Sequence, residues 1–171
     1  RAGVSAPAWV SFTASNFLPS LKITSPQASN LLLATVGPDF HATWVADDQD
    51  GRASHTPARI RFKLFGASSS PDPVTIRLNP DTLLKLAAPT FAGWDSLPGT
   101  ATGVDIHGLQ PGATYMLAVV AFDEAGAFSA PFTQDSNILG FSVSAAAAVG
   151  PALSVSSNYF SVGYGTGGFF S

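Results

Sequence analysis

The sequence predicts an all-β sandwich carrying one short helix, and three observations make the case. Tyr115–Phe122 is a continuous apolar run that enters from a Pro111-Gly112 turn and leaves through the polar turn Asp123–Gly126. Turn, buried strand, turn is the signature of a central strand. Phe40–Val45 and Arg59–Leu64 alternate apolar and polar side chains with a period of two, the mark of strands with one buried face. Finally, 16 Gly and 13 Pro in 171 residues favour many short strands and turns over long helices.

Composition bounds what the chain can do. At 171 residues it is one domain's length with room for an added segment. There is no Cys, which excludes disulfides and thiolate metal sites. Charged residues make up 11% of the chain, against about 25% in ordinary soluble domains. The net charge is −3 and the few Lys and Arg are scattered, so a nucleic-acid partner is not expected. No apolar run approaches the ~20 residues of a membrane span, and none is expected. Because the chain starts at Arg1 and ends Gly-Phe-Phe-Ser, it reads as a processed protein or a piece of a longer one.

Taken in order, Leu21–Pro26 is a short strand closed by proline, and Asn30–Val36 a second apolar run ended by Gly37-Pro38. In Phe40–Val45, Phe40, Ala42 and Trp44 face in, with Trp44 the largest core candidate. In Arg59–Leu64, Ile60, Phe62 and Leu64 face in, while Arg59, Arg61 and Lys63 face water and discourage pairing at an edge. Val74–Leu78 alternates and reads as another strand. Asn79-Pro80 is a helix start, cap followed by proline, and predicts one helix of about two turns crossing between the sheets. Thr90–Thr100 is a loop carrying Trp94, Val104–His107 a strand, and Asn137–Val143 the closing strand with Leu139, Phe141 and Val143 inward.

Leu109-x-Pro111-Gly112-x-x-Tyr115 has a further reading. The turn places Tyr115 at the mouth of the next strand, where its ring enters the core and its hydroxyl bonds back to the turn's backbone. This stretch resembles strand F of fibronectin type III and related immunoglobulin-like domains. Lys22–Pro26, Trp44 ahead of an Asp-x-Asp-Gly loop, Arg59–Leu64 and Leu109–Ser129 follow in an order similar to the modules strung along large bacterial secreted and surface proteins. The resemblance covers Phe17–Val143, and the insert Leu78–Gly99 departs from a minimal module. It implies an immunoglobulin-like, fibronectin type III-like β-sandwich at an extracellular or cell-surface location, and hardly constrains function.

For chemistry, the loop Asp47-Asp48-Gln49-Asp50-Gly51 is the metal candidate. Alternate carboxylates followed by Gly can wrap a hard cation such as Ca²⁺, and Asp123 and Glu124 are expected at the same end of the sandwich. The plain alternative is turn chemistry, since Asp and Gly are ordinary turn residues. Trp94 is the candidate for stacking a carbohydrate, if exposed. His41, His55 and His107 share no ligand spacing, no Ser sits in a Gly-x-Ser-x-Gly elbow, and Gly163–Gly168 lacks the Lys of a phosphate loop. No enzyme is expected.

The ends carry the sharper expectation. Residues 1–16 and 144–171 flank the sandwich of 17–143, and both bear aromatic residues and are nearly free of charge. Left in water they would expose apolar surface and strand edges. Trp9, Val10, Phe12, Leu153, Val155, Tyr159 and Phe160 are therefore the candidate assembly residues, packing on their own sandwich, on a neighbouring domain or on another copy by strand addition. A structural module forming a homo-oligomer or polymer, such as a filament or layer, is the expected function. The alternative is a carbohydrate- or calcium-binding accessory or adhesion module.

Overall fold

The structure is a computed structural model that describes residues 15–27, 33–50, 55–69, 72–85, 90–133 and 136–145. Among the described residues eight strands and two helices follow in the order β1 (Ser20–Ser25), β2 (Ala34–Val36), β3 (Phe40–Asp47), β4 (Arg59–Phe65), α1 (Pro73–Leu78), α2 (Pro80–Lys85), β5 (Asp95–Pro98), β6 (Gly103–Ile106), β7 (Thr114–Phe122) and β8 (Ile138–Val143). One sheet has the order β1-β3-β6 and the other β2-β8-β7-β4-β5. All pairings are antiparallel except β2 with β8. Consecutive strands repeatedly change sheet, as in an immunoglobulin-like sandwich.

The core between the sheets is built by the inward face of each strand. Leu21 and Ile23, Ala42 and Trp44, Ile60, Leu117, Val119 and Ala121, and Leu139, Phe141 and Val143 form one buried cluster. Trp44 is buried, and its indole N–H, which would otherwise be orphaned, donates to the Ala101 carbonyl at 2.7 Å. The alternation expected for Phe40–Val45 is present, with Val45 on the outer face 62% exposed.

β7 explains its own unbroken apolar run. Leu117, Val119 and Ala121 face the core between the sheets, whereas Met116, Ala118, Val120 and Phe122 face the other way into a second buried cluster. Ile76 of α1, Leu84 of α2, Phe91, Trp94 and Phe132 cover that outer face. A strand buried on both sides has no polar alternation to show.

Four expectations are corrected here. Val74–Leu78 lies in helix α1, not in a strand. Asp72 caps it, Oδ1 accepting the Thr75 amide at 3.1 Å and Oδ2 the Thr75 hydroxyl at 2.7 Å, while Pro73 occupies the first helical position. The helix places Ile76 in the core and Leu78 in water at 82% exposure, which no strand would do to residues two apart. The helices lie on the outer face of the five-stranded sheet and do not cross between the sheets, because β7 offers them an apolar surface there. β4 is an interior strand, flanked by β7 and β5, and Asp95–Pro98 is a strand where a loop was expected. Arg59 stays exposed as expected, its guanidinium 4.8 Å from the Phe122 ring centre, whereas Arg61 and Lys63 are half-buried, the Lys63 amine 5.3 Å from the ring centre of Phe65.

Candidate functional site: the two poles of the sandwich

Strand register defines two poles. At one, β1 begins, β3 ends in Asp47 and β7 ends in Phe122, with Ser20 opposite Asp47. At the other, β3 begins beside the end of β6, with Leu109 N–H on the Pro38 carbonyl at 3.0 Å, and β8 ends beside the start of β7, with Gly112 N–H on the Val143 carbonyl at 3.0 Å.

The first pole gathers the acidic loops, as the sandwich geometry predicts. Asp123 sits at the end of β7, 6% exposed. Its Oδ1 accepts the Ala127 amide at 2.7 Å, closing a turn in which Gly126 takes φ +89°. Its Oδ2 accepts from Asn16 Nδ2 at 2.7 Å, and Asp50 Oδ2 accepts from the Phe17 amide at 2.7 Å. Asp48 is 1% exposed and its Oδ1 is buried with no hydrogen-bond partner. Burial pushes the Asp48 carboxyl above its ordinary range. A hydrogen bond with Asp50 and the negative charges of Asp50, Asp123 and Asp47 push it the same way. Asp47 is half-buried and Glu124 exposed. Among the described residues no three His, Cys, Asp or Glu side chains form a ready-made metal cage. Gly51 lies outside the described residues.

Asn16 and the Phe17 amide are the members of this pole that sequence reasoning missed. They lie 107 and 33 residues from their partners, and no local pattern announces such a pairing.

The second pole holds the tyrosine device. Gly112, at φ +79°, turns the chain, and the Gln110 amide donates to the Tyr115 hydroxyl at 3.2 Å while the ring stacks on Phe141 with 5.7 Å between centres. From here the chain leaves β8, the Ser144 amide donating to the Val36 carbonyl at 2.8 Å.

Along one flank runs a cleft of about 410 Å³ between β1 and the 129–137 segment. Ser136 stitches its two walls together: its hydroxyl donates to the Leu21 carbonyl at 2.6 Å, and its carbonyl accepts the Ile23 amide at 2.7 Å. That occupies much of the free edge of β1. The histidines form no common site. His41 pairs with Asp105 at 2.7 Å and His107 with Asp39 at 3.4 Å, all four exposed on the outer face of the β1-β3-β6 sheet, and His55 lies in the loop before β4.

Trp94 is where a carbohydrate platform cannot be. It is 8% exposed, edge-on to Phe91 at 4.9 Å and to Phe65 at 6.1 Å, a core residue of the second cluster. The expectation rested on a loop position, and the aromatic layer on β7 drew the ring inward. Trp9, Val10, Phe12, Leu153, Val155, Tyr159 and Phe160 all lie outside the described residues.

The strand order, the interior Trp44 and the Tyr115 corner stand together. The fold is fibronectin type III-like. No family model and no curated protein matches the sequence. Among solved structures, the chain is similar to the fibronectin(III)-like modules of Clostridium thermocellum CbhA at 17% identity and a TM-score of 0.43, covering 75% of this chain. It spans 47% of that chain's length. It is also similar to the fn3 domain of the human collagen alpha-1(XX) chain at 13% identity and a TM-score of 0.37, covering 88% of this chain and 100% of that one. The helical layer on β7 is the chief elaboration of this fibronectin type III-like sandwich. Among the described residues no helix is long and apolar enough to cross a membrane.

Proposed function

We propose that this chain is a non-catalytic, extracellular structural module that joins copies of itself or neighbouring domains head to tail through its terminal segments, building a surface filament or layer. The observation that carries this reading is where the described chain enters and leaves the sandwich. The N-terminal segment enters at the pole of Asp48 and Asp123, and the chain leaves β8 at the pole of Leu109–Gly112. The nine residues of β7 run from one pole to the other, on the order of 30 Å at strand rise. Entry and exit at opposite poles let modules follow one another in line without a reversal of the chain. Apolar surface at the entry supports the same reading, with Phe17 and Leu18 exposed at 55% and 60%.

Electron microscopy and light scattering of the whole chain test the proposal. Polymers or ordered oligomers are expected, and deleting 152–171 should return monomers whose melting temperature is that of the parent. A chain that is monomeric at all concentrations overturns the reading. So does a deletion that destabilises the sandwich while assembly persists, because the tail is then internal structure.

A further inference from the structure

Exposed apolar side chains are not spread evenly over this molecule. Among the described residues four large ones are exposed: Phe17, Leu18, Val45 and Leu78. Val45 lines the cleft between β1 and the 129–137 segment, and Phe17 and Leu18 lie within two residues of its wall at Pro19. Leu78 sits apart, on the helix that covers the other sheet. Ala130 and Pro131 add apolar surface to the cleft, and of the described residues around it Lys22 alone is charged. Lys22 is itself exposed, so its amine stays in water while its stem covers apolar surface. Apolar surface gathered around a concavity marks a contact site. At about 410 Å³ the cleft is in the range of sites that bury a ligand.

We propose that this cleft receives residues 152–164 of a second copy of the chain, with Tyr159 and Phe160 as its aromatic anchors. Charge is the first argument. No Asp, Glu, Lys or Arg occurs from Ser136 to Ser171, so this segment brings no side-chain charge to be stripped of water in a cleft with no acidic partner to offer. Reach is the second. The cleft lies toward the pole where Ser20 stands opposite Asp47, and β8 ends at the other. In a head-to-tail line, the exit of one module therefore meets the cleft end of the next. The spacer 146–151 spans up to about 20 Å, enough to cross such a junction. It falls short of the roughly 30 Å back to the entry pole of its own sandwich. The mode of binding follows from Ser136, which already holds the Leu21 carbonyl and the Ile23 amide. The occupant seats side chains there and does not extend the sheet, as aromatic anchors do when they fill a pocket. This inference rests on the head-to-tail reading for the order of the modules, and adds where the tail lands.

The chain has no Cys, so introduced ones report contact without background. Val45→Cys and Ser157→Cys are made in the whole chain, singly and together, and oxidised with glutathione disulfide. Mixing the two single variants should give a disulfide-linked pair of one chain of each kind, in excess over the like pairs that each forms alone. A double variant that closes on itself as a monomer, with no mixed pair, overturns the proposal, because the cleft then holds its own tail. Absence of both products overturns it as well. In parallel, Val45→Arg sets a second cation beside Lys22, and assembly followed by light scattering should need roughly tenfold more protein. Its melting temperature should stay near the parent's, since Val45 is exposed. Leu78→Arg, on the other sheet, should assemble like the parent. If Val45→Arg polymerises as the parent does and no mixed pair forms, the cleft is not the junction and the head-to-tail reading survives without it. A parent that stays monomeric and yields no mixed pair sinks both.

Discussion

Arg61 Nη1 donates to the Phe91 carbonyl at 3.1 Å and also to the Thr90 carbonyl, so a cation on β4 holds the segment that lays an aromatic ring on β7. Phe91 needs holding, because it adopts φ +47°, a conformation bulky residues avoid. Its ring is fully buried among Trp94, Phe122 and Phe128, with centres 4.9, 5.4 and 5.2 Å away. Phe91→Ala should cost about 3–5 kcal/mol. Arg61→Ala removes two charge-assisted hydrogen bonds and should cost about 2 kcal/mol. Urea denaturation of the two single variants and the double variant checks both values. A double variant markedly less damaged than the sum is expected, since the two act on one segment.

Trp94 belongs to the same layer, and its replacement should read as a packing defect. Trp94→Ala is expected to lose about 3–5 kcal/mol of stability. Trp94→Phe, which keeps a ring against Phe91 and Phe65, should recover most of that. Thermal melts in the presence and absence of soluble oligosaccharides separate this from a stacking role. Equal melting with and without sugar, in parent and variant alike, is the expected result.

Local chemistry made part of this architecture legible. The Tyr115 corner spans five residues from Gln110, and the helix start at Asn79-Pro80 spans two, so both can be read from spacing alone. In Val74–Leu78 two local signals compete. Alternation argues for a strand, while Asp72-Pro73 repeats the cap-proline pattern that starts α2, and the cap won. The second aromatic layer was hidden for a different reason. The run of β7 shows that it is buried but not from how many sides, and Arg61 and Lys63 look solvent-facing until Phe122 and Phe65 are placed beneath them. At the acidic pole, the meeting of the Asp48 and Asp123 loops was legible from sandwich geometry. The ties from Asn16 and Phe17 depend on where an uncharged segment happens to pass.

The Tyr115 hydroxyl accepts the Gln110 amide at 3.2 Å at an exposed turn, which sets the scale of its contribution. Tyr115→Phe keeps the stacking on Phe141 and removes only that acceptor. A loss of about 1 kcal/mol is expected, a fall in melting temperature of roughly 3 °C. Tyr115→Ala, which also removes the ring from the core, should cost several times more. Equal losses for the two variants would mean that the ring carries nothing, against the geometry.

Asp81 links α2 to the segment before β8, and its charge makes that link depend on pH. Its carboxylate bonds to Lys85 at 2.7 Å, and its other oxygen accepts the Phe132 amide at 3.0 Å. Lys85 first, and the Phe132 amide after it, hold the carboxyl below its ordinary value of 3.8, against the opposing pull of burial. A carboxyl lowered on folding stabilises the protein above its unfolded value, and that contribution is lost as the pH falls through the folded one. Asp81→Asn should therefore melt below the parent at pH 7. The gap should stay constant down to about pH 5, shrink as the medium approaches and passes pH 3.8, and all but vanish in stronger acid. Melting curves from pH 7 to pH 2 in constant salt measure it. A gap that stays the same across the whole range would show that the charge of Asp81 is immaterial and that only its shape holds Phe132 in place.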